Sequence, residues 1–127
     1  MIGASGGQEF NDRLSPLTDG NLIYGGQAYD CMMMLSLAYA QAGTTDGEAL
    51  YAAAVDVSRD DGGDTACSTY TECAAAIEAG ESINYEGVAG PLDLDDGGDP
   101  TFGRYAIAQF QDGAVVTLDS QDIDLNF

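Results

Sequence analysis

Histidine, lysine and tryptophan are absent from this 127-residue chain, and its only basic side chains are Arg13, Arg59 and Arg104. Two of these absences remove a class of function. Without histidine no Ser-His or Cys-His pair can be built, and neither a G-x-S-x-G elbow nor a P-loop occurs, so the chain does not read as an enzyme. Without lysine, and with 22 acidic residues setting a net charge of −19, the surface repels a phosphate backbone, whose binding depends on cationic side chains displacing counterions. Nucleic acid is therefore excluded as a partner. Long apolar runs are lacking too: the longest candidate, Cys31 to Ala42, is interrupted by Ser36 and Gln41 and falls short of a transmembrane helix. Met1 to Gly7 has neither the basic nor the apolar region of a secretory signal, which implies a cytoplasmic chain or a true N-terminus upstream of Met1.

What is present suits a folded protein. The apolar fraction is 45%, enough for one modest core or for part of a larger one. An acidic surface of this kind stays hydrated in high salt, where like-charge repulsion is screened within a few ångströms, and suggests a marine or halophilic source.

Periodicity divides the chain. Residues 9–80 read as mainly helical and 81–127 as rich in strands. A short helical turn over 9–14 ends at Ser15-Pro16, and Leu17 to Gln27 reads as loop and extended chain. From Tyr29 begins a helix that is apolar on nearly every side and must be covered on most of its faces; Gly43 stops it. Thr45-Asp46-Gly47-Glu48 spells a capping box for a second helix with Leu50, Ala53, Ala54 and Val57 on one stripe. Thr69-Tyr70-Thr71-Glu72 opens a third, with Cys73, Ala76 and Ile77 buried and Gly80 as its stop. Strands are predicted over Gly87 to Leu94 and Arg104 to Phe110, then a tight turn at Asp112-Gly113 and a last strand through Val115, Val116 and Leu118. Helices followed by strands make an α/β or α+β fold.

Cys67 and Cys73 are spaced so that a disulfide could clamp a loop onto the first turn of the third helix, two reduced structural cysteines being the competing reading. Cys31, in the apolar helix, is expected to be a buried free thiol. A zinc site would need about four ligands, which this cysteine set without histidine does not supply.

The pentapeptide DDGGD occurs at Asp60 to Asp64 and at Asp95 to Asp99. With Asp93 as position 1 of an EF-hand loop, Asp95 and Gly98 fall correctly, but Gly97 occupies position 5 and Arg104 stands where a bidentate glutamate is needed. Flanking helices are missing as well. Both copies read as acidic turns, and no metal or other cofactor is expected.

Several stretches then carry information by their order: Gln27-Ala28-Tyr29-Asp30 entering the apolar helix, Ala42 to Gly47, the Cys67 to Cys73 loop, Tyr85-Glu86-Gly87-Val88-Ala89-Gly90-Pro91, Asp95 to Pro100, and Gln109-Phe110-Gln111-Asp112-Gly113. Across residues 24–116 the chain closely resembles the C-terminal third of the type I periplasmic solute-binding proteins of ABC transporters, the branched-chain amino-acid binding family. The resemblance implies a fragment of a two-lobed α/β protein whose lobes close around a small polar, amino-acid-like solute by hinge motion. It further implies a missing N-terminal portion of the same protein, a membrane permease as partner, and an extracytoplasmic location as a periplasmic protein or cell-surface lipoprotein.

The stretch before the A-Y-D helix faces the cleft in that family. It maps to Tyr24 through Gln27, giving Tyr24 as a wall and Gln27 as a polar contact, although Gly25-Gly26 replaces bulkier residues. Tyr29 and Asp30 are expected to start and cap the helix. Two other readings stand beside this one: a stand-alone acidic interaction or calcium-binding module, and a redox protein using Cys67 and Cys73.

Overall fold

The computed structural model describes residues 2–3, 7–62 and 64–125. Most of the segment read for a secretory signal, and Gly63 of the first DDGGD, lie outside them. The described elements are β1 (Ile2–Gly3), α1 (Gln8–Leu14), a 3-10 turn (Ser15–Leu17), α2 (Gly25–Ala42), α3 (Gly47–Asp56), β2 (Thr65–Cys67), α4 (Tyr70–Glu78), β3 (Ile83–Gly87), β4 (Gly90–Pro91), β5 (Phe102–Gln111) and β6 (Ala114–Asp124). They make a mixed α/β fold with two three-stranded sheets. In one, β3 lies between β2, to which it is parallel, and β4, to which it is antiparallel. In the other, β5 pairs antiparallel with β1 and along its length with β6. Among the described residues no helix is long and apolar enough to cross a membrane.

The core forms where α2, α4 and the end of α3 meet the first sheet. Met33 and Leu37 of α2, Val57, Cys67, Cys73, Ala76, Ile83 and Tyr85 are buried together. β2, α4 and β3 form a βαβ unit, and the Cys67–Cys73 disulfide joins its first strand to the first turn of its helix. Buried Ser58, just beyond α3, donates to the Val55 carbonyl at 2.7 Å and accepts from the Leu94 N–H, lacing α3 to the chain after β4.

Four expectations are corrected. Helix α2 starts at Gly25, four residues before Tyr29, after Tyr24 takes a left-handed conformation with φ of 57°. The cap of α3 is Asp46, whose carboxylate accepts from the Ala49 N–H at 3.0 Å; Thr44 in turn accepts from the Asp46 N–H, so Thr45 and Glu48 form no box. A carboxylate one residue later is the better acceptor, because it also meets the positive end of the helix dipole. The strand expected over Gly87 to Leu94 is instead the end of β3, a two-residue turn at Val88-Ala89, and the short β4. Cys31 is exposed.

Other expectations hold. Thr69 caps α4 by accepting from the Glu72 N–H, Gly43 ends α2 in the left-handed region, and Asp112-Gly113 turns β5 into β6. Apolar side chains remain uncovered on two elements. Met32, Leu35 and Tyr39 line the outer face of α2, and Phe110, Val115 and Leu118 stand in solvent on the hairpin, Phe110 81% exposed.

Candidate functional site

A buried carboxylate organises the centre of the molecule. Asp30, the sixth residue of α2, is only 1% exposed. Its Oδ1 accepts from the Tyr85 hydroxyl at 2.8 Å and the Val88 N–H at 2.9 Å, and its Oδ2 from the Ala89 N–H at 2.8 Å. A buried charge costs several kcal/mol unless it is hydrogen-bonded, and these three donors meet that cost. Asp30 is thus a bracket between α2 and the β3-β4 turn, not the helix cap that its position suggested. Burial, and then the Asp30 carboxylate, push the Tyr85 hydroxyl far above the usual tyrosine range.

Gly87 completes the bracket. A Cβ there would stand 2.6 Å from Asp30 Oδ2 and 2.9 Å from the Gly90 carbonyl oxygen. Only glycine fits, because one of the obstacles is backbone and the other is a held carboxylate. The Ala28-Tyr29-Asp30 stretch and the Tyr85-Glu86-Gly87-Val88-Ala89-Gly90 stretch, far apart in sequence, are therefore one hydrogen-bonded unit.

Beside this bracket opens a cleft of about 820 Å³. It lies at the carboxyl ends of the parallel strands β2 and β3, the position at which α/β sheets commonly bind ligands. One wall is α1 and its 3-10 extension, with Glu9, Phe10, Arg13, Leu14 and Leu17; the first turns of α2 supply Gly25, Ala28 and Tyr29. Ser68 and Thr69 and the end of β3 at Glu86 complete the lining. The Phe10 and Tyr29 rings are 5.1 Å apart and tilted. Ser68 and Thr69 are held in place because the disulfide spans them, fixing β2 to α4 with a Cα separation of 5.4 Å.

The expected ligand residues flank this cleft. Tyr24 is the exposed residue before α2 and Gln27 lies half-buried in its first turn, while the cleft wall is made by their neighbours Gly25, Ala28 and Tyr29. At Gly25 a Cβ would fall 2.3 Å from Leu14 Cδ2, the free end of a side chain that would have to turn aside to admit it. Sequence reasoning missed Arg13, Ser68, Thr69 and Glu86 as cleft residues. Arg13 carried a signal, as one of three cations, and so did Asp30, the one acid inside an apolar helix.

The two DDGGD copies come together in space. Both border a shallow depression around Arg59, whose guanidinium donates to the Leu94 carbonyl at 2.5 Å and to Asp96 at 2.9 Å. The aspartates serve the turns themselves: Asp95 Oδ1 accepts from the Gly97 and Asp99 N–H groups, and Asp60 Oδ1 from that of Gly62. Among the described residues no three acidic or cysteine side chains converge to hold a metal ion.

Comparison with protein-family models, with curated proteins and with solved structures found no match to this chain.

Proposed function

We propose that this chain is the C-terminal part of a type I solute-binding protein, one that captures a small polar, amino-acid-like solute without chemistry and passes it to an ABC permease in the membrane. The observation that carries the reading is the cleft at the carboxyl ends of β2 and β3, walled by apolar rings and a few polar groups, as small-molecule sites generally are. The uncovered apolar face of α2 and the solvated β5-β6 hairpin support it further. Exposed apolar patches of this kind mark surfaces that another part of a structure covers, and a preceding lobe of the same protein would cover them. The disulfide suits an extracytoplasmic, oxidising compartment.

The DNA upstream of the Met1 codon tests this reading. An in-frame extension encoding an export signal and a first α/β lobe is expected, with permease genes nearby. A promoter and ribosome-binding site directly before Met1 would overturn it.

A further inference from the structure

Resting on the solute-binding reading, we propose that Arg13 is the anchor for the carboxylate of a zwitterionic solute whose ammonium group faces Glu86. Two of the three arginines are already engaged. Arg59 is held by Leu94 and Asp96, and Arg104 pairs with Asp122 through two hydrogen bonds of 2.6 and 3.0 Å. Among the described residues Arg13 is the one cation with neither an ion pair nor a hydrogen bond from its guanidinium. That is unexpected in a chain with 22 acids. Glu9 stands four residues earlier on the same helix, the favourable order for a helical ion pair, yet no such pair forms. Arg13 borders the cleft instead. A planar guanidinium with its donors uncommitted is the side chain best shaped to take a carboxylate in two parallel hydrogen bonds.

Charge decides between ligand classes. Glu9 and Glu86 line the same cleft as Arg13, so its walls carry a net negative charge inside a molecule of net charge −19. A dianion would be repelled by that field. A simple cation would be repelled by Arg13 and leave it without a partner. A zwitterion satisfies both sides. Glu86 is half-buried, and its Oε1 accepts from the Asn84 amide at 3.0 Å, which orients the carboxylate and leaves Oε2 for an ammonium group. Phe10 and Tyr29, whose rings lie 5.1 Å apart, would pack on the solute's side chain beside its charged end.

The test is an amide NMR titration of the full chain at low ionic strength, which detects weak binding. L-leucine, L-glutamine and L-alanine are the zwitterions, with leucinamide and 4-methylpentanoate as counterparts lacking one charge. The expected result is movement of the Arg13, Ser68 and Glu86 resonances with at least one zwitterion, each single-charge analogue of leucine binding more weakly. Arg13→Gln should weaken the zwitterion about tenfold or more and leave leucinamide unchanged, with Arg13→Lys intermediate. Glu86→Gln should mirror this, weakening the zwitterion but not 4-methylpentanoate. Silence of all three zwitterions, or equal affinity in wild type and Arg13→Gln, overturns the anchor. Because Arg13 is exposed, an unchanged melting temperature shows that the variant is folded. A preceding lobe found in the DNA would keep the solute-binding reading standing even if the anchor fell, and the lack of one would sink the reading whatever the titration showed.

Discussion

The hydroxyl of Tyr85 donates to Oδ1 of Asp30 at 2.8 Å, joining β3 to α2 across 55 residues of sequence. Both side chains are buried, so the bond cannot be exchanged for water without opening the core. Tyr85→Phe removes one donor and leaves the carboxylate with two backbone N–H groups; a loss of about 1–3 kcal/mol is expected by urea denaturation. Asp30→Ala should cost more, about 3–5 kcal/mol, because it leaves the Tyr85 hydroxyl and two turn N–H groups without an acceptor. Equal stability of Tyr85→Phe and wild type would refute the bracket.

The same pair sets an alkaline limit. Burial and Asp30 raise the folded-state pKa of Tyr85, so the folded protein holds this proton more tightly than the unfolded chain does. The stabilisation is complete below the ordinary tyrosine pKa near 10 and is lost as pH rises above it, because the unfolded chain then ionises while the folded one resists. Stability should fall above about pH 10 with a limb that is shallower in Tyr85→Phe by up to about 1.4 kcal/mol per pH unit. Parallel limbs would show that Tyr85 is not the group responsible.

Thiol chemistry separates the three cysteines. Cys31 is exposed and free, whereas Cys67 and Cys73 are bonded and buried. A maleimide should add once to the native protein, at Cys31, and three times after denaturation and reduction, as read by mass spectrometry. Paired Cys67→Ser and Cys73→Ser substitutions should lower stability by about 2–3 kcal/mol, the loop-closure value for so short a span. Three additions to the unreduced native protein would refute the bridge.

The parts legible in the sequence were those decided locally. The Thr69 cap, the Gly43 and Gly80 stops and the Asp112-Gly113 turn each depend on a few neighbouring residues, and the structure has them. What escaped was decided by distant partners. Asp30 looks like a helix starter until the Val88 and Ala89 N–H groups arrive from 58 and 59 residues away. Three residues, Thr65 to Cys67, are too few to show a strand period, and they become β2 only by pairing with β3. Cys31 sits among apolar neighbours, yet the side of α2 it occupies is left open. The cleft itself draws on α1, α2, β3 and the loop before α4, so no single stretch announces it.

The acidic turns should ignore calcium. Asp95 Oδ1 is occupied by two backbone N–H groups and Asp96 by Arg59, so the cluster serves the backbone and lacks the converging ligands that calcium requires. Calorimetric titration with calcium should show no saturable heat. Asp95→Ala should lower stability by about 1 kcal/mol through loss of the turn bonds. A saturable site abolished by that substitution would reverse the assignment.

The β5-β6 hairpin gives the last prediction. Its register runs from Phe102 opposite Asp124 to Gln111 opposite Ala114, with an irregularity between Ile107 and Ala108. Near its base β5 also pairs with β1, and Arg104 is bonded to Asp122. Beyond the irregularity the two strands pair, among the described residues, only with each other, and their side chains are exposed. A two-stranded ribbon in water is marginally stable, so hydrogen exchange should divide the hairpin in two. Amides from Ala108 to Thr117 should exchange through local opening at low free energy, while those of Leu37 and Tyr85 persist to the global limit. Acid should loosen the base as well. The Arg104 guanidinium holds the Asp122 carboxyl below its usual range, so the ion pair is present above the ordinary aspartate pKa and is lost as pH falls through the depressed folded value. Uniform protection along the whole hairpin would mean that something covers its tip in solution.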